Sequence, residues 1–149
     1  MKENYLKIIF VIDESGSMQG TESDVIGGFN NFIEKQKTEH QGKISVSLYK
    51  FNSSWSRVLN DLPIEEIRPL TNGDYTPGGL TALYDTIGNA ITDIENQAKY
   101  TKREHKASMV MMVIITDGQE NASKEYDARK VKQMIQEREK SENWQFIYL

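Results

Sequence analysis

Two stretches of uninterrupted apolar residues, each running into an acid, constrain this chain more than anything else in it. Residues 8–12 read Ile-Ile-Phe-Val-Ile and lead into Asp13. Residues 109–116 read Met-Val-Met-Met-Val-Ile-Ile-Thr and lead into Asp117. Runs without polar alternation, rich in β-branched residues, fit strands buried on both faces, as at the centre of a parallel sheet. The carboxyl edge of such strands opens into the crevice where open α/β sheets bind ligands. Asp13 and Asp117 are thus both expected at that edge.

The rest of the chain supplies the elements such a sheet needs. Residues 6–12 read as the first strand. Ser23-Asp24 can cap a helix whose apolar face is Val25, Ile26, Phe29, Phe32 and Ile33. Gly27-Gly28 costs that helix about 1 kcal/mol per glycine, and close packing against the sheet is the expected compensation. Residues 44–51 form a second strand. Asn52-Ser53-Ser54 is a turn, and residues 55–59 return as the antiparallel arm of a hairpin. Residues 63–79 are irregular, broken by Pro69, Pro77 and several glycines. A helix beginning near Thr81 carries Leu83, Ile87, Ala90, Ile91 and Ile94 on one face, and residues 99–105 form a charged link. A third helix over 124–139 turns Val131, Met134 and Ile135 inward. Residues 144–149 close the chain as a strand. This alternation predicts one α/β domain over residues 1–149, a doubly wound, mostly parallel sheet with one antiparallel edge strand.

Composition removes several function classes. The 149 residues carry a net charge of −4, with no surplus of Lys and Arg to neutralise phosphates, so no nucleic-acid role is expected. The chain has no cysteine, which rules out disulfides and thiolate zinc sites. No apolar segment reaches the ~18 residues of a membrane span, and the first residues lack a signal-peptide core. The expectation is a cytoplasmic protein without a membrane partner.

The chemistry gathers in three places. Asp13, Ser15 and Ser17 stand at i, i+2 and i+4 just past the first strand, so one carboxylate and two hydroxyls can converge there. Residues 75–85 contain Gly78-Gly79, which let the backbone approach the sheet edge, followed by Thr81. Asp117 ends the second apolar run. Oxygen donors of this kind suit hard cations such as Mg²⁺ or Mn²⁺. With few carboxylates bound directly, a coordination position stays open for an incoming carboxylate. A turn rich in capping residues would explain 13–17 alone, but leaves Thr81 and Asp117 as coincidences. Asp85 reads as a solvated or first-turn acid, and His40 and His105 as surface residues. Met109, Met111 and Met112 read as core, and Trp55 and Trp144 as packing.

At these residues the sequence resembles the von Willebrand factor type A (vWA) domain family. Asp13-Glu14-Ser15-Gly16-Ser17 is similar to the Asp-x-Ser-x-Ser signature of its metal-ion-dependent adhesion site (MIDAS). Thr81 within Gly79-Leu80-Thr81-Ala82-Leu83 resembles its threonine loop, and Asp117 in Ile115-Thr116-Asp117-Gly118 its second acid. The local wording is closer to bacterial or phage intracellular members than to integrin inserted domains. The resemblance implies a Rossmann-like fold, here without the last strand and helix usual in the family, and an expected metal site of Asp13, Ser15, Ser17, Thr81 and Asp117. It implies that Ser15 and Ser17 ligate Mg²⁺ directly, with Mn²⁺ or Ca²⁺ as substitutes. Thr81 would bind directly or through water, and Asp13 and Asp117 would act mainly through bridging waters and hydrogen bonds to the serines. The open position would accept a Glu or Asp from a protein partner.

The expected function is therefore a non-enzymatic, Mg²⁺-dependent protein-interaction module. One alternative is a phosphotransfer or phosphatase-type metal enzyme on the same sheet. Against it, Ser15 stands where aspartate-based phosphatases need a second Asp, and the last strand offers no Lys for a receiver-type site. Neither a Gly-x-Ser-x-Gly elbow nor a phosphate loop is present. The other alternative is a structural domain with a vestigial site.

Overall fold

The apolar run of residues 8–12 lies inside strand β1, Tyr5–Asp13, whose neighbours on both sides run parallel to it. A computed structural model describes residues 4–39, 42–102, 106–116, 120–141 and 143–149. In chain order the elements are β1, helix α1 (Glu22–Glu39), β2 (Lys43–Phe51), β3 (Trp55–Pro63), α2 (Leu83–Lys99), β4 (Met109–Ile115), α3 (Ala128–Lys140) and β5 (Trp144–Tyr148). Among the described residues the sheet has five strands in the order β3-β2-β1-β4-β5. Only the β2–β3 pair is antiparallel. This is the doubly wound, mostly parallel α/β architecture expected, with its one antiparallel strand at the edge. None of the helices among the described residues is long and apolar enough to cross a membrane.

Alternation along β1 divides its apolar side chains between two cores. Ile8, Phe10 and Ile12 join Val25, Phe29 and Ile33 of α1 on one face. Ile9 and Val11 join Ile87 and Ile91 of α2 and Val131 and Met134 of α3 on the other. The rings of Phe10 and Phe29 meet at 4.5 Å. Met112 is fully buried, and Met109 and Met111 are half-buried. Trp55 and Trp144 are half-buried and pack beside Tyr49 and Phe146 respectively, each pair 5.8 Å apart. Strand β2 is covered on both faces, so its serines need partners inside. The Ser45 hydroxyl bonds the Tyr5 hydroxyl at 2.7 Å, and Ser47 Oγ accepts from Asp61 N–H at 2.8 Å.

Several local expectations are corrected. Helix α1 begins at Glu22, ahead of Ser23-Asp24, and Thr21 before it turns its hydroxyl back to the Met18 carbonyl at 2.6 Å. Gly27 and Gly28 are not sites of close packing, since a Cβ at either would meet nothing within 4 Å. Strand β3 continues to Pro63 past register shifts opposite β2. An edge strand tolerates the missing N–H. Helix α2 starts at Leu83, two residues after Thr81. Helix α3 starts only at Ala128, because Asp127 caps it by accepting from Lys130 N–H at 2.8 Å. His40, His105 and Asp117 lie outside the described residues.

Candidate metal centre

Strands β1 and β4 are neighbours, and the chain departs from them in opposite directions across the sheet. Their carboxyl ends therefore border the crevice at the switch point. Asp13, the last residue of β1, is fully buried. Its Oδ1 accepts from Ser15 N–H at 2.8 Å and its Oδ2 from the Thr116 hydroxyl at 2.7 Å, just past β4. A buried carboxylate without such donors would be costly. The Tyr75 hydroxyl donates to the Asp13 carbonyl. Ser15 Oγ and Ser17 Oγ stand 3.1 Å apart. Ser15 is buried, while Ser17, in a short 3-10 turn over Gly16–Met18, is exposed. The pair thus runs from the interior to the surface.

The threonine loop is bolted alongside. Gly16 N–H donates to the Gly79 carbonyl and Gly78 N–H to the Glu14 carbonyl, each at 3.0 Å. Gly79 has φ +80°, where a side chain is strained, and a Cβ there would also come within 3.0 Å of Ser53 Oγ. Leu80 N–H donates to that same Ser53 oxygen at 3.0 Å, and Ala82 N–H to the Asn52 carbonyl at 2.7 Å. Glu14 points away from the two serines. Its carboxylate takes Thr76 N–H at 2.9 Å and the Lys50 ammonium at 3.2 Å, tying the loop to β2.

Thr81 is buried, and its backbone is braced from the third loop. Asn121 Oδ1 accepts from Thr81 N–H at 2.8 Å, while Asn121 N–H and Ala122 N–H donate to the Thr81 carbonyl at 2.9 and 3.0 Å. Glu120 accepts from the N–H groups of Tyr84, Ala122 and Ser123 and from the Ser123 hydroxyl. Burial alone would raise the Glu120 carboxyl, but the bonds from Ser123, Tyr84 and Ala122 outweigh it and hold its pKa below the ordinary glutamate value. Asp85 is a first-turn acid, as expected, but a buried one rather than a solvated one. Its carboxylate accepts from Lys124, Glu125 and Tyr126 N–H at 2.7, 2.9 and 2.9 Å.

Hydrogen bonds thus join Asp13, Ser15 and Ser17 directly, and fasten the Thr81 loop to theirs. Among the described residues no three of His, Cys, Asp and Glu group as metal ligands; the oxygens brought together here are the Ser15 and Ser17 hydroxyls beside the Asp13 carboxylate. Cis oxygens around an ion with ~2.1 Å bonds lie about 3.0 Å apart. The Ser15–Ser17 separation fits one such edge. Sequence reasoning missed Tyr75, Thr116, Asn121 and Glu120. Only the polar run Glu120-Asn121-Ala122-Ser123, close behind the second acid, carried any local hint.

The family model of the von Willebrand factor type A domain matches residues 7–142. The chain belongs to this family. In three dimensions the vWA domain is similar to a mutant of the PilB minor pilin from Streptococcus sanguinis, with a TM-score of 0.60 and 19% identity, covering 79% of this chain and 30% of that one. It is also similar to the ArnB paralog VWA2 from Sulfolobus acidocaldarius, with a TM-score of 0.57, 14% identity and coverage of 96% and 34%. A third likeness is BatB from Bacteroides thetaiotaomicron, a conserved hypothetical protein, with a TM-score of 0.55, 15% identity and coverage of 96% and 65%. The vWA domain therefore spans less than two thirds of each of these chains. No curated protein matches it in sequence.

Proposed function

We propose that this vWA domain binds a partner protein through a divalent cation held by Asp13, Ser15, Ser17, Thr81 and Asp117. It is then a binding module and not a catalyst. Members of the family commonly mediate protein–protein interactions. The observation that carries the reading is the Ser15–Ser17 oxygen pair, 3.1 Å apart beside a buried carboxylate whose two oxygens are already occupied by donors. A neutral hydroxyl pair with a supporting carboxylate suits Mg²⁺, with Mn²⁺ or Ca²⁺ as substitutes. When bound, the cation supplies a Lewis-acidic position that a Glu or Asp of the partner can fill.

The residues divide this work. Ser15 and Ser17 would hold the ion through their hydroxyl oxygens. Asp13 holds Ser15 through its backbone N–H and supplies nearby negative charge. Thr81, clamped by Asn121, offers a third hydroxyl from a fixed loop. Calorimetry on chelator-stripped protein tests the reading: Mg²⁺ should bind at millimolar concentration or below and raise the melting temperature by mass action. In Asp13→Ala both effects should vanish while the circular dichroism spectrum stays that of a folded domain. A wild-type protein indifferent to millimolar Mg²⁺, Mn²⁺ and Ca²⁺ would overturn it.

A further inference from the structure

Lys7 is an unexpected residue for the middle of a sheet. It lies on β1, between β2 and β4, and its side chain is only 13% exposed. Lysine is almost never so buried unless it is paired. Among the described residues its one partner is Asp61 Oδ1, at 3.4 Å, which leaves part of the ammonium's donor capacity unused. Lys7 lines a cavity of about 420 Å³ at the amino ends of the strands, a size within the range of small-molecule sites. Ile94 and Ala98 of α2, Val110 of β4 and Trp144 of β5 give that cavity an apolar side. Lys99 and Lys106 line it together with Lys7, although the chain as a whole carries a net charge of −4. The two acids in its wall are already engaged, Asp61 by Lys7 and Glu95 by Arg138. Among the described residues Lys99 and Lys106 form no ion pair, so the positive charge of the cavity is not cancelled from within.

We infer that this cavity binds a small organic anion, a carboxylate or phosphate head on an apolar body. The head meets the Lys7 ammonium, whose attraction for it is strengthened by the low-dielectric walls. Lys99 and Lys106 raise the local concentration of anions at the entrance. The body lies against Trp144 and the apolar wall, where its burial adds to affinity. The site is distinct from the cation centre: Lys7 and Asp13 are on the same strand, about 20 Å apart at ~3.3 Å per residue. The inference therefore stands or falls separately from the cation reading.

Anilinonaphthalene sulfonate, an anionic head on an aromatic body, is the probe. Its fluorescence should rise saturably on the folded protein in chelator, with one site per chain. Its uncharged relative phenylnaphthylamine should bind about tenfold more weakly. Octanoate and octyl phosphate should displace the dye, and the more effective of the two names the head. Octylamine, with the same chain and a cationic head, should not displace it, nor should inorganic phosphate, a head without a body. Lys7→Met should weaken dye binding about tenfold, as expected for losing one charged hydrogen bond, and Lys7→Arg should restore it. Combining Lys7→Met with Asp61→Asn removes both charges of the pair, and asparagine accepts the φ of +55° at that position. The double variant should bind as weakly as Lys7→Met. Lys106→Gln, at a half-buried position, reads the charge independently should Lys7→Met fail to fold, and should weaken the dye several-fold. Absence of dye binding, displacement by octylamine or inorganic phosphate as readily as by octanoate, or full affinity in Lys106→Gln or the double variant would overturn the inference.

Discussion

Among the described residues three glycines lie inside α-helices, and replacing each with alanine should change stability with a sign set by what its Cβ would meet. Removing the extra backbone freedom of glycine in the unfolded chain is worth about 0.5–1 kcal/mol in a helix interior. At Gly27 and Gly28 of α1 a Cβ has nothing within 4 Å, so the whole gain survives. Each substitution should stabilise by about 0.5–1 kcal/mol, and the double variant by about 1–2 kcal/mol, since neither Cβ shares a neighbour with the other. At Gly88 of α2 the Cβ would stand 2.6 Å from Cγ and Cδ1 of Tyr126. That ring cannot simply swing aside. Its hydroxyl meets Thr92 Oγ1 at 3.2 Å, and its backbone N–H is held by Asp85. Overpacking of this kind costs about 1–3 kcal/mol, so Gly88→Ala should come out neutral to about 2.5 kcal/mol less stable. Urea unfolding followed by circular dichroism, in chelator so that metal binding does not intervene, reads the differences. Melting temperatures should move by about 2–4 °C per kcal/mol for a chain of this size. A loss at Gly27 or Gly28, or an equal gain at Gly88, would refute the reasoning.

Three further perturbations address the loops around the site. Asn121→Ala removes one acceptor from the Thr81 backbone, costing about 1–2 kcal/mol of stability; calorimetry should also show weaker Mg²⁺ binding, and Asn121→Asp, which keeps an acceptor oxygen, should recover part of it. Asp85→Ala leaves the N–H groups of Lys124, Glu125 and Tyr126 without their acceptor. It should cost about 3 kcal/mol in urea unfolding, with faster amide exchange over residues 120–126. Because Glu120 is held below the ordinary glutamate value in the fold, its contribution is fully present above that value, about 4.3, and fades as pH falls through the lower folded value. The stability gap between wild type and Glu120→Gln should therefore be widest near neutral pH and narrow toward pH 3 in chelator-treated samples.

Sequence by itself determined the central strands, because an unbroken run such as 109–116 leaves no face for water, whatever surrounds it. It also determined the inward faces of all three helices, since apolar spacing is a property of neighbours along the chain. The Asp13-Ser15-Ser17 cluster was legible for the same reason: its spacing is local. Tertiary structure alone decided how the loops are held. Thr81 depends on Asn121, 40 residues away, and Asp13 on Thr116, 103 residues away. It also decided that Asp85 is buried and accepts from the backbone of residues 124–126, and that Gly27 and Gly28 face open space while Gly88 lies against a ring. Hydrophobic periodicity records only which side of an element leaves water. Which donor meets which acceptor is a matter of distance through space, and that is settled when the sheet brings the ends of β1 and β4 together.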